Sequence, residues 1–451
     1  MDYFNLKFHN TTVKSEIFAG IAMFMAMSYI LVVCPSVLSG TGMDYNGVFL
    51  ATVLVSGFTT IVSAFFTKLP IALAPGLGMT SMFFALATGP KQIPWTHLLL
   101  ATYAAGIIIC AFIRFGLYNK IMDIMDVNFR RIIMSGIGFA LFMYGISTVG
   151  LLEKKNSIYV LGKIDIIPLA ICAISLLVIF VMKRFNRKGF VLTGLIVAYF
   201  LNICVNYYEA FQTAEISVGD YLKGIFTISY NFQDIRKVMF AFPDVIDVFS
   251  NKDAVISFVN AVFVFTMGHF FDAIGTNTSS FDAITDNIDL RVKDTVSLKR
   301  AITVDGIGNV VSGVMGTPSV TTYGESLVGI VSGGKTGITA LTTGCLFLLC
   351  LFFAPLFTSM ASYVAAPALI YVGLLLVFRF REFDKKKKAS YIFGLCMVGY
   401  IGVTFNIGNA VLYGLIIYTF IRMFFEKKKP VSGWWVMIIF AVVHILLNYA
   451  A

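Results

Sequence analysis

Two carboxylate residues stand inside long apolar segments of this sequence. Asp272 lies in the segment FVNAVFVFTMGHFFDAIGTNTSS, and Glu325 lies in GTPSVTTYGESLVGIVSGG. A charged side chain at the centre of a bilayer costs roughly 2.5–3.5 kcal/mol on insertion scales, so such a residue usually faces a cavity. A carboxyl group accepts N–H donors from a polar solute, and burial favours its neutral, protonated form. Asp272 and Glu325 are therefore candidate residues for solute binding and for proton coupling.

Three polar residues around the first of these acids share one face of a helix. His269, Asp272 and Thr276 are spaced i, i+3 and i+7, which places them in line along a helix surface. An imidazole side chain ordinarily titrates near neutral pH, so His269 is a third candidate for proton coupling. The alternative interpretation is a structural polar cluster that holds neighbouring helices together.

Polar and conformationally permissive residues precede the second acid. Thr322, Tyr323 and Gly324 lead directly into Glu325. An unwound backbone at this point would offer N–H donors to the carbonyl groups of a solute, while the carboxyl group accepts the N–H groups of that solute. We therefore count Thr322, Tyr323 and Gly324 as candidate binding residues. The alternative is an acid at a helix end near the membrane interface.

Two apolar segments contain helix-breaking residues in their interior. The segment PIALAPGLGMTSMFFALATG (70–89) holds Pro75, Gly76 and Gly78, and the segment 316–334 holds Pro318. Lipid cannot satisfy the backbone groups that such residues free, so broken helices survive only inside protein or beside a cavity. One broken segment in each half of the chain is typical of transporters with inverted repeats. The alternative is a pair of merely kinked helices or loops.

A further acid, Asp305, begins the stretch DGIGNVVSGVMGTP (305–318). Its place near the start of a segment is compatible with a helix cap or with a structural partner of the site. The glycine and serine residues that follow it are of the kind that lets helices approach closely.

Enzymes and nucleic-acid-binding proteins are disfavoured. The sequence shows no Ser-His-Asp or HExxH grouping, and its seven cysteines are scattered in apolar runs without a CxxC pair. We therefore expect no enzyme activity, no metal and no cofactor. The net charge of +10 comes from basic residues in short loops between apolar runs, so we expect no nucleic-acid partner.

The composition is that of an integral membrane protein in contact with lipid. Hydrophobic residues make up 58% of the chain and charged residues 13%, with a mean hydropathy of +0.85. Soluble domains carry about 25% charged residues. The predicted spans are seven plus seven: 16–39, 47–66, 70–88, 97–116, 132–151, 166–184 and 189–207, then 255–280, 302–316, 319–333, 336–357, 362–379, 389–404 and 406–425. A polar loop, 208–254, joins the two sets, and an extra apolar segment, 433–449, follows them.

The distribution of Lys and Arg predicts the orientation. Basic clusters lie at 114–131, 183–188, 291–300, 379–388 and 427–429, and counting spans puts all of them on one side of the membrane together with the N-terminus. The positive-inside rule then predicts a multi-pass protein of the cell (inner) membrane with a cytoplasmic N-terminus.

With these segments in view, the chain resembles the nucleobase:cation symporter superfamily, and within it the AzgA-like branch of adenine/guanine/hypoxanthine permeases. The similar segments include EIFAGIAMFMAMSYILVVCPSVLS (16–39), ALAPGLGM (72–79), FFDAIGT (270–276), GGKTGITA (333–340) and PALIYVGLLLV (367–377). The resemblance implies an all-α polytopic fold of 14 transmembrane segments arranged as two inverted seven-helix repeats. It also implies short strands in segments 3 and 10.

The resemblance further implies two domains and a mode of action. Residues 16–116 and 255–357 would form a core (transport) domain, and residues 132–207 and 362–425 a gate domain through which a homodimer can form. The implied function is import of a purine nucleobase with a cation, H⁺ in this interpretation. A uracil, xanthine or urate permease of the same superfamily is the alternative, and a channel or anion transporter of the same fold is the alternative from another class.

Carried over position by position, the resemblance makes Asp272 and Glu325 direct binders of the base. Thr276 falls where uracil-type members place a polar partner of the first acid. Backbone near Met79 and Thr80, and near Tyr323 and Gly324, would supply N–H donors. The purine branch usually has Asn where Thr80 stands and an acid where His269 stands, and the TYGE sequence is similar to the uracil and xanthine branches.

Overall fold

Helices cover most of the chain, as the long apolar segments predict. The computed structural model describes residues 3–89, 92–115, 127–155, 158–163, 165–185, 190–214, 233–243, 248–249, 252–287, 295–353, 362–383, 388–404 and 407–427. The extra apolar segment predicted at 433–449 lies outside these described residues.

The first half of the chain contains helices that overlap each of the predicted spans, with two ends that differ by seven residues. They are α1 (Val13–Met27), α2 (Ile30–Ser39), α3 (Tyr45–Thr67), α4 (Leu77–Thr88), α5 (Trp95–Arg114), α6 (Val127–Thr148), α7 (Ile166–Arg184) and α8 (Phe190–Ala214). A short strand, β1 (Leu73–Pro75), precedes α4.

The second half also consists mainly of helices, with one short strand before a short helix. Its helices are α9 (Lys252–Asn287), α10 (Thr295–Met315), α11 (Ser326–Val331), α12 (Gly337–Leu349), α13 (Ala366–Phe378), α14 (Lys388–Thr404) and α15 (Ile407–Phe425). A strand of three residues, β4 (Val320–Thr322), precedes α11. Because α8 runs on to Ala214 and α9 begins at Lys252, the polar connection is shorter than the predicted loop 208–254.

Several helical stretches have the length and composition of membrane spans. Within the described residues, four are long and apolar enough to cross a bilayer: Val13–Ser39, Tyr45–Thr67, Trp95–Arg114 and Ile166–Arg184. A hydrocarbon core of about 30 Å requires about 20 apolar residues in a helix. Further apolar helices of 10–17 residues lie among the other predicted spans. The prediction of a polytopic helical membrane protein is confirmed.

The first predicted span, 16–39, has an irregular turn in its middle. Helix α1 ends at Met27 and α2 begins at Ile30. The backbone remains right-handed helical at Ser28 and Tyr29, but the N–H of Leu31 donates to Ser28 and that of Val32 to Tyr29, three residues back. Such a tightened turn inside a helix often marks a hinge or a functional position.

The two broken segments meet as an antiparallel pair of strands. Leu73, Ala74 and Pro75 of β1 lie opposite Thr322, Thr321 and Val320 of β4. All six residues are buried. Pro75 lies at the end of its strand, where its missing N–H interrupts no further ladder bond.

Side chains of neighbouring elements satisfy the remaining backbone groups of this strand pair. The hydroxyl of Thr60 on α3 donates to the carbonyl of Leu73 at 3.0 Å and accepts from the Leu73 N–H at 2.9 Å. The N–H of Ala72 donates to the Ser326 hydroxyl at 3.1 Å. Both broken segments can therefore lie in an apolar interior without unpaired backbone groups at these positions.

Two features of the connections go beyond the sequence analysis. A hairpin of β2 (Leu152–Lys155) and β3 (Ile158–Leu161) occupies most of the connection 152–165.

In the long connection between α8 and α9, the ammonium group of Lys237 pairs with Asp44 at 2.9 Å and with Asp234 at 2.8 Å. This ion pair fastens the connection to the start of α3.

A buried acid that the sequence analysis did not single out joins the two halves of the chain. The carboxylate of Glu16 on α1 accepts the N–H groups of Lys335 and Thr336 at 3.0 and 3.1 Å, and the hydroxyl of Thr339 at 2.6 Å. These donors lie at the start of α12, where an anion is favoured by the unpaired N–H groups and the helix dipole.

We predict that Thr60→Val lowers the thermal stability of the purified protein more than Thr59→Val does. Thr60→Val leaves both the N–H and the carbonyl of Leu73 without this partner, at about 1–3 kcal/mol for a buried group. Among the described residues, the hydroxyl of Thr59 bonds only to the Val55 carbonyl of its own helix. Melting temperatures in detergent measure the difference, and equal losses in the two variants would contradict the role given to Thr60.

Candidate functional site

The turn between β4 and α11 carries the candidate acid Glu325. Glu325 is half-buried and immediately precedes the first residue of α11. The hydroxyl of Tyr29, at the irregular turn between α1 and α2, donates to Oε1 of Glu325 at 2.8 Å. Tyr29 is fully buried. A phenol that donates to a carboxyl group forms a strong hydrogen bond when that group is ionised.

Open space adjoins this acid. Among the described residues, a Cβ atom added at Gly324 would meet no heavy atom within 4 Å outside its immediate chain neighbours. Most glycines that pack between helices do not have this room; a Cβ at Gly268, for example, would lie 2.4 Å from the sulfur of Met82. The turn therefore has room for an additional group at the residue that immediately precedes Glu325.

Tyr323 connects this turn to the other broken segment. Its hydroxyl donates to the carbonyl of Pro75 at 3.1 Å, and its N–H donates to the carbonyl of Ala72 at 3.0 Å. The strand pair thus links Tyr323 to Pro75, 248 residues away, while the N–H of Gly76 donates to the carbonyl of Ser319, at the opposite end of β4 from Gly324 and Glu325.

Two of the expected backbone donors are engaged within the protein. The N–H of Thr80 donates to the carbonyl of Gly76 at 2.8 Å, and the Thr80 hydroxyl donates to the same carbonyl at 2.9 Å. The Tyr323 N–H is used in the contact with Ala72. In the first turn of α4, the N–H groups of Leu77, Gly78 and Met79 have no intrahelical acceptor, as at every helix start. Of the two α4 positions named from sequence, Met79 is the one whose N–H belongs to this turn.

Asp305 acts as a structural partner of β4. It is fully buried in the interior of α10, and its Oδ1 accepts the hydroxyl of Thr322 at 2.9 Å. Of the two interpretations left open by the sequence, the structure favours the structural partner, since a helix cap would lie at the start of α10. The side chain of Thr322 is therefore engaged with the scaffold.

His269 belongs to a buried polar cluster with Asn309 and Ser319. The amide nitrogen of Asn309 lies 2.7 Å from Nδ1 of His269, and the Ser319 hydroxyl lies 3.3 Å from the same atom. Ser319 also donates to the amide oxygen of Asn309. If the amide donates to Nδ1, a neutral imidazole carries its proton on Nε2. His269 thereby ties α9 to α10 and to the residue before β4.

Asp272 and Thr276 are one and two turns further along the same helix. Both belong to α9, which packs against β4 and α11. The side chains of residues 270–287 lie outside the described residues, so the meeting of Asp272 with Glu325 stays a prediction. The same holds for Thr276.

The sequence analysis missed Tyr29, Ser319 and Asn309. Asn309 carries a signal, because it stands four residues after Asp305 and therefore on the same face of α10. Both residues of that face hold the β4 segment. Tyr29 has no such signal, since a tyrosine in an apolar span with 20 tyrosines in the chain is unremarkable.

The chain is similar to known permeases over nearly its whole length. The family model described as "Permease family" (Xan_ur_permease) matches residues 14–409. The adenine permease AdeP of Escherichia coli is 28% identical over 438 residues, covering 95% of this chain and 92% of that protein. The guanine/hypoxanthine permease PbuO of Bacillus subtilis is 26% identical over 447 residues, covering 97% and 98%.

A solved structure has a similar fold. The transmembrane domain of a cyanobacterial bicarbonate transporter, BicA, aligns with a TM-score of 0.63 at 17% identity, covering 88% of this chain and 97% of that one. At this identity the likeness concerns the fold alone.

We predict that Asn309→Leu destabilises the protein more than Ser312→Ala on the same helix. The leucine is close to asparagine in size but leaves His269 and Ser319 buried without their amide partner, at about 1–3 kcal/mol. Within the part of the chain that the structure describes, the hydroxyl of Ser312 bonds only to the backbone carbonyl of Asn309. Thermal melting of both variants tests this, and an Asn309→Leu variant as stable as Ser312→Ala would argue against the cluster.

Proposed function

We propose that this protein is a secondary active transporter that imports a purine nucleobase by proton symport. The chain belongs to the Permease family, whose model it matches over residues 14–409. The observation that carries this proposal is the half-buried carboxyl of Glu325 beside the open space at Gly324. Relatives of similar length are named as adenine and as guanine/hypoxanthine permeases, which supports a purine as the substrate.

The chemistry of the site suits a flat nitrogen heterocycle. A purine presents ring N–H groups or an exocyclic amine that a carboxylate can accept, and ring nitrogens or a carbonyl that N–H groups can serve. Glu325 would accept the donors of the base, and Asp272 would be the second acid. The absence of a side chain at Gly324 would let a planar ring approach the backbone. The N–H groups at the start of α4, Met79 among them, would bind the acceptor atoms.

For the fold we propose two inverted seven-helix repeats that move by alternating access. The antiparallel pairing of β1 with β4 supports this arrangement, because it joins the broken segment of one half to that of the other. The core domain would comprise 16–116 and 255–357, and the gate domain 132–207 and 362–425. Packing of α1 and α3 on α12, and of α6 on α13 and α14, supports this division.

For energy coupling we propose a proton carried by Asp272 or Glu325. His269, also a candidate from the sequence, has its Nδ1 beside Asn309 and Ser319, and this favours a positioning role for the imidazole.

We further propose an inner-membrane location with a cytoplasmic N-terminus, from the basic clusters on one side of the predicted spans. A homodimer through the gate domain is part of the same proposal.

Two other substrates define the alternatives. The sequence TYGE supports a uracil, xanthine or urate permease of the same superfamily. The likeness in fold to a bicarbonate transporter favours an anion transporter or a channel. The carboxyl of Glu325 argues against an anion, because two negative charges repel each other strongly in a low-dielectric site.

Uptake by the purified protein in liposomes tests the proposal. Under an inward proton gradient we expect radiolabelled hypoxanthine, guanine or adenine to accumulate, and a protonophore to abolish the accumulation. Competition by unlabelled uracil, xanthine and urate separates the nucleobase alternatives, and competition by bicarbonate tests the anion alternative. The purine proposal fails if none of the purines accumulates.

We predict that Glu325→Gln and Asp272→Asn each abolish proton-driven uptake while leaving expression and gel-filtration behaviour intact. Each variant keeps the size of the side chain but removes an ionisable acceptor of N–H groups. Glu153→Gln, the same change at an exposed position of the β2–β3 hairpin, is the control. Wild-type uptake by either site variant would remove that residue from the mechanism.

We predict that Gly324→Ala preserves the fold but discriminates against larger bases. The added methyl group fits at this turn, yet it takes up part of the space in which we propose that the base binds. One methyl group in a binding pocket changes affinity by roughly tenfold or more, so KM for a two-ring purine should rise more than the inhibition constant for uracil. Gly399→Ala is the matched control, because a Cβ there also meets nothing within 4 Å. An unchanged purine KM in Gly324→Ala would place the ligand elsewhere.

A further inference from the structure

Tyr29 occupies an unusual place in the backbone. It lies at the irregular turn between α1 and α2, within a continuous apolar stretch from Val13 to Ser39. Its carbonyl accepts the N–H of Val32 as well as that of Val33, so the helix tightens locally at this residue. The turn fixes the direction in which the Tyr29 side chain leaves α1 and α2.

The hydroxyl of Tyr29 reaches the candidate acid from the other end of the sequence. It donates to Oε1 of Glu325 at 2.8 Å, across a sequence separation of 296 residues. The hydroxyl of Tyr323, which donates to the carbonyl of Pro75, also interacts with that of Tyr29. The phenol of Tyr29 is therefore held by two residues of the β4–α11 turn, one of which is itself bonded to β1.

This contact restricts the carboxyl group. A glutamate side chain has three rotatable bonds and loses substantial conformational entropy when it is fixed. If a donor already holds one carboxyl oxygen before the ligand binds, the side chain has less conformational entropy left to lose. The entropic cost of ligand binding is therefore smaller. Each carboxyl oxygen has two lone pairs, so a carboxylate held at Oε1 still accepts further donors.

We propose that Tyr29 is a positioning residue that presents the carboxyl group of Glu325 to the nucleobase. This inference rests on the proposed function and adds a residue from the first span to its site. Tyr29 acts through Glu325, so its hydroxyl contributes to substrate affinity without contact between the phenol and the base.

The test measures uptake kinetics of Tyr29→Phe in liposomes and ligand-induced thermal shifts in detergent, with hypoxanthine, guanine, adenine, uracil and xanthine as probes. We expect KM for the accepted base to rise about tenfold, the equivalent of one hydrogen bond to a charged group, and Vmax to change far less. Tyr363→Phe is the control, because the Tyr363 hydroxyl also donates to a side-chain oxygen, that of Asn202, at 2.5 Å. It should lose stability without the increase in KM.

A second pair of variants separates positioning from general stabilisation. Glu325→Asp keeps the carboxyl group but withdraws it from Tyr29 by one methylene. The affinity of this variant for the base should therefore fall. Adding Tyr29→Phe to Glu325→Asp should then cause little further loss, because the two residues act as a unit. Additive losses would show that Tyr29 acts independently of Glu325 and would overturn the inference.

The remaining outcomes distinguish the two proposals. A wild-type protein that transports a base, with an unchanged KM in Tyr29→Phe, refutes the positioning role and leaves the proposed function standing. A wild-type protein that neither binds nor transports any of the five bases refutes the proposed function, and the role of Tyr29 with it.

Discussion

Backbone polar groups in the middle of a bilayer have no water to bind, so any interruption of a helix there must be satisfied by the protein itself. In this chain the two interruptions satisfy each other. The antiparallel pairing of Leu73–Pro75 with Val320–Thr322 uses the backbone groups of both. Thr60 and Ser326 complete the pairing at Leu73 and Ala72. The broken segments are stable because they meet, and neither would be stable alone in lipid.

The same pairing underlies the proposed site. Because the strands are antiparallel, β1 ends beside the start of β4, and the start of α4 and the turn before α11 follow opposite ends of a pair that is only three residues long. The hydroxyl of Tyr323, which donates to the carbonyl of Pro75, links the two ends. Helix starts expose N–H groups, and the turn exposes Gly324 and Glu325 beside open space. Around the crossing, Asp305 holds Thr322, and Asn309 joins Ser319 to His269. These side chains hold the strands in place, and the room at Gly324 lies in the turn that follows β4.

Sequence patterns predicted the broken segments because Gly and Pro act locally. Pro75 and Gly76 interrupt a helix whatever surrounds them, and apolar length predicts spans in the same local way. Tyr29 and the buried Glu16 could not be found by that reasoning, since their importance depends on partners about 300 residues away. The β2–β3 hairpin was missed because its short strands carry weak periodicity. Asn309 was within reach, since its spacing from Asp305 marks a polar face.

The buried acids of this protein show why a carboxylate in an apolar segment is an ambiguous signal. Glu16 and Asp305 are fully enclosed, with Glu16 bonded to two backbone N–H groups and a hydroxyl, and Asp305 bonded to Thr322. Glu325 is only half-buried, and space remains next to it at Gly324. Burial of each of these three carboxyl groups costs desolvation free energy, and the position of an acid in an apolar segment of the sequence indicates that cost. An acid that is enclosed by donors of its own protein serves the fold, whereas an acid that borders unfilled space is placed to bind a ligand. By this criterion Glu325 is the acid among these three whose surroundings support the binding role proposed for it, and its contact with Tyr29 supports the positioning role proposed for that residue.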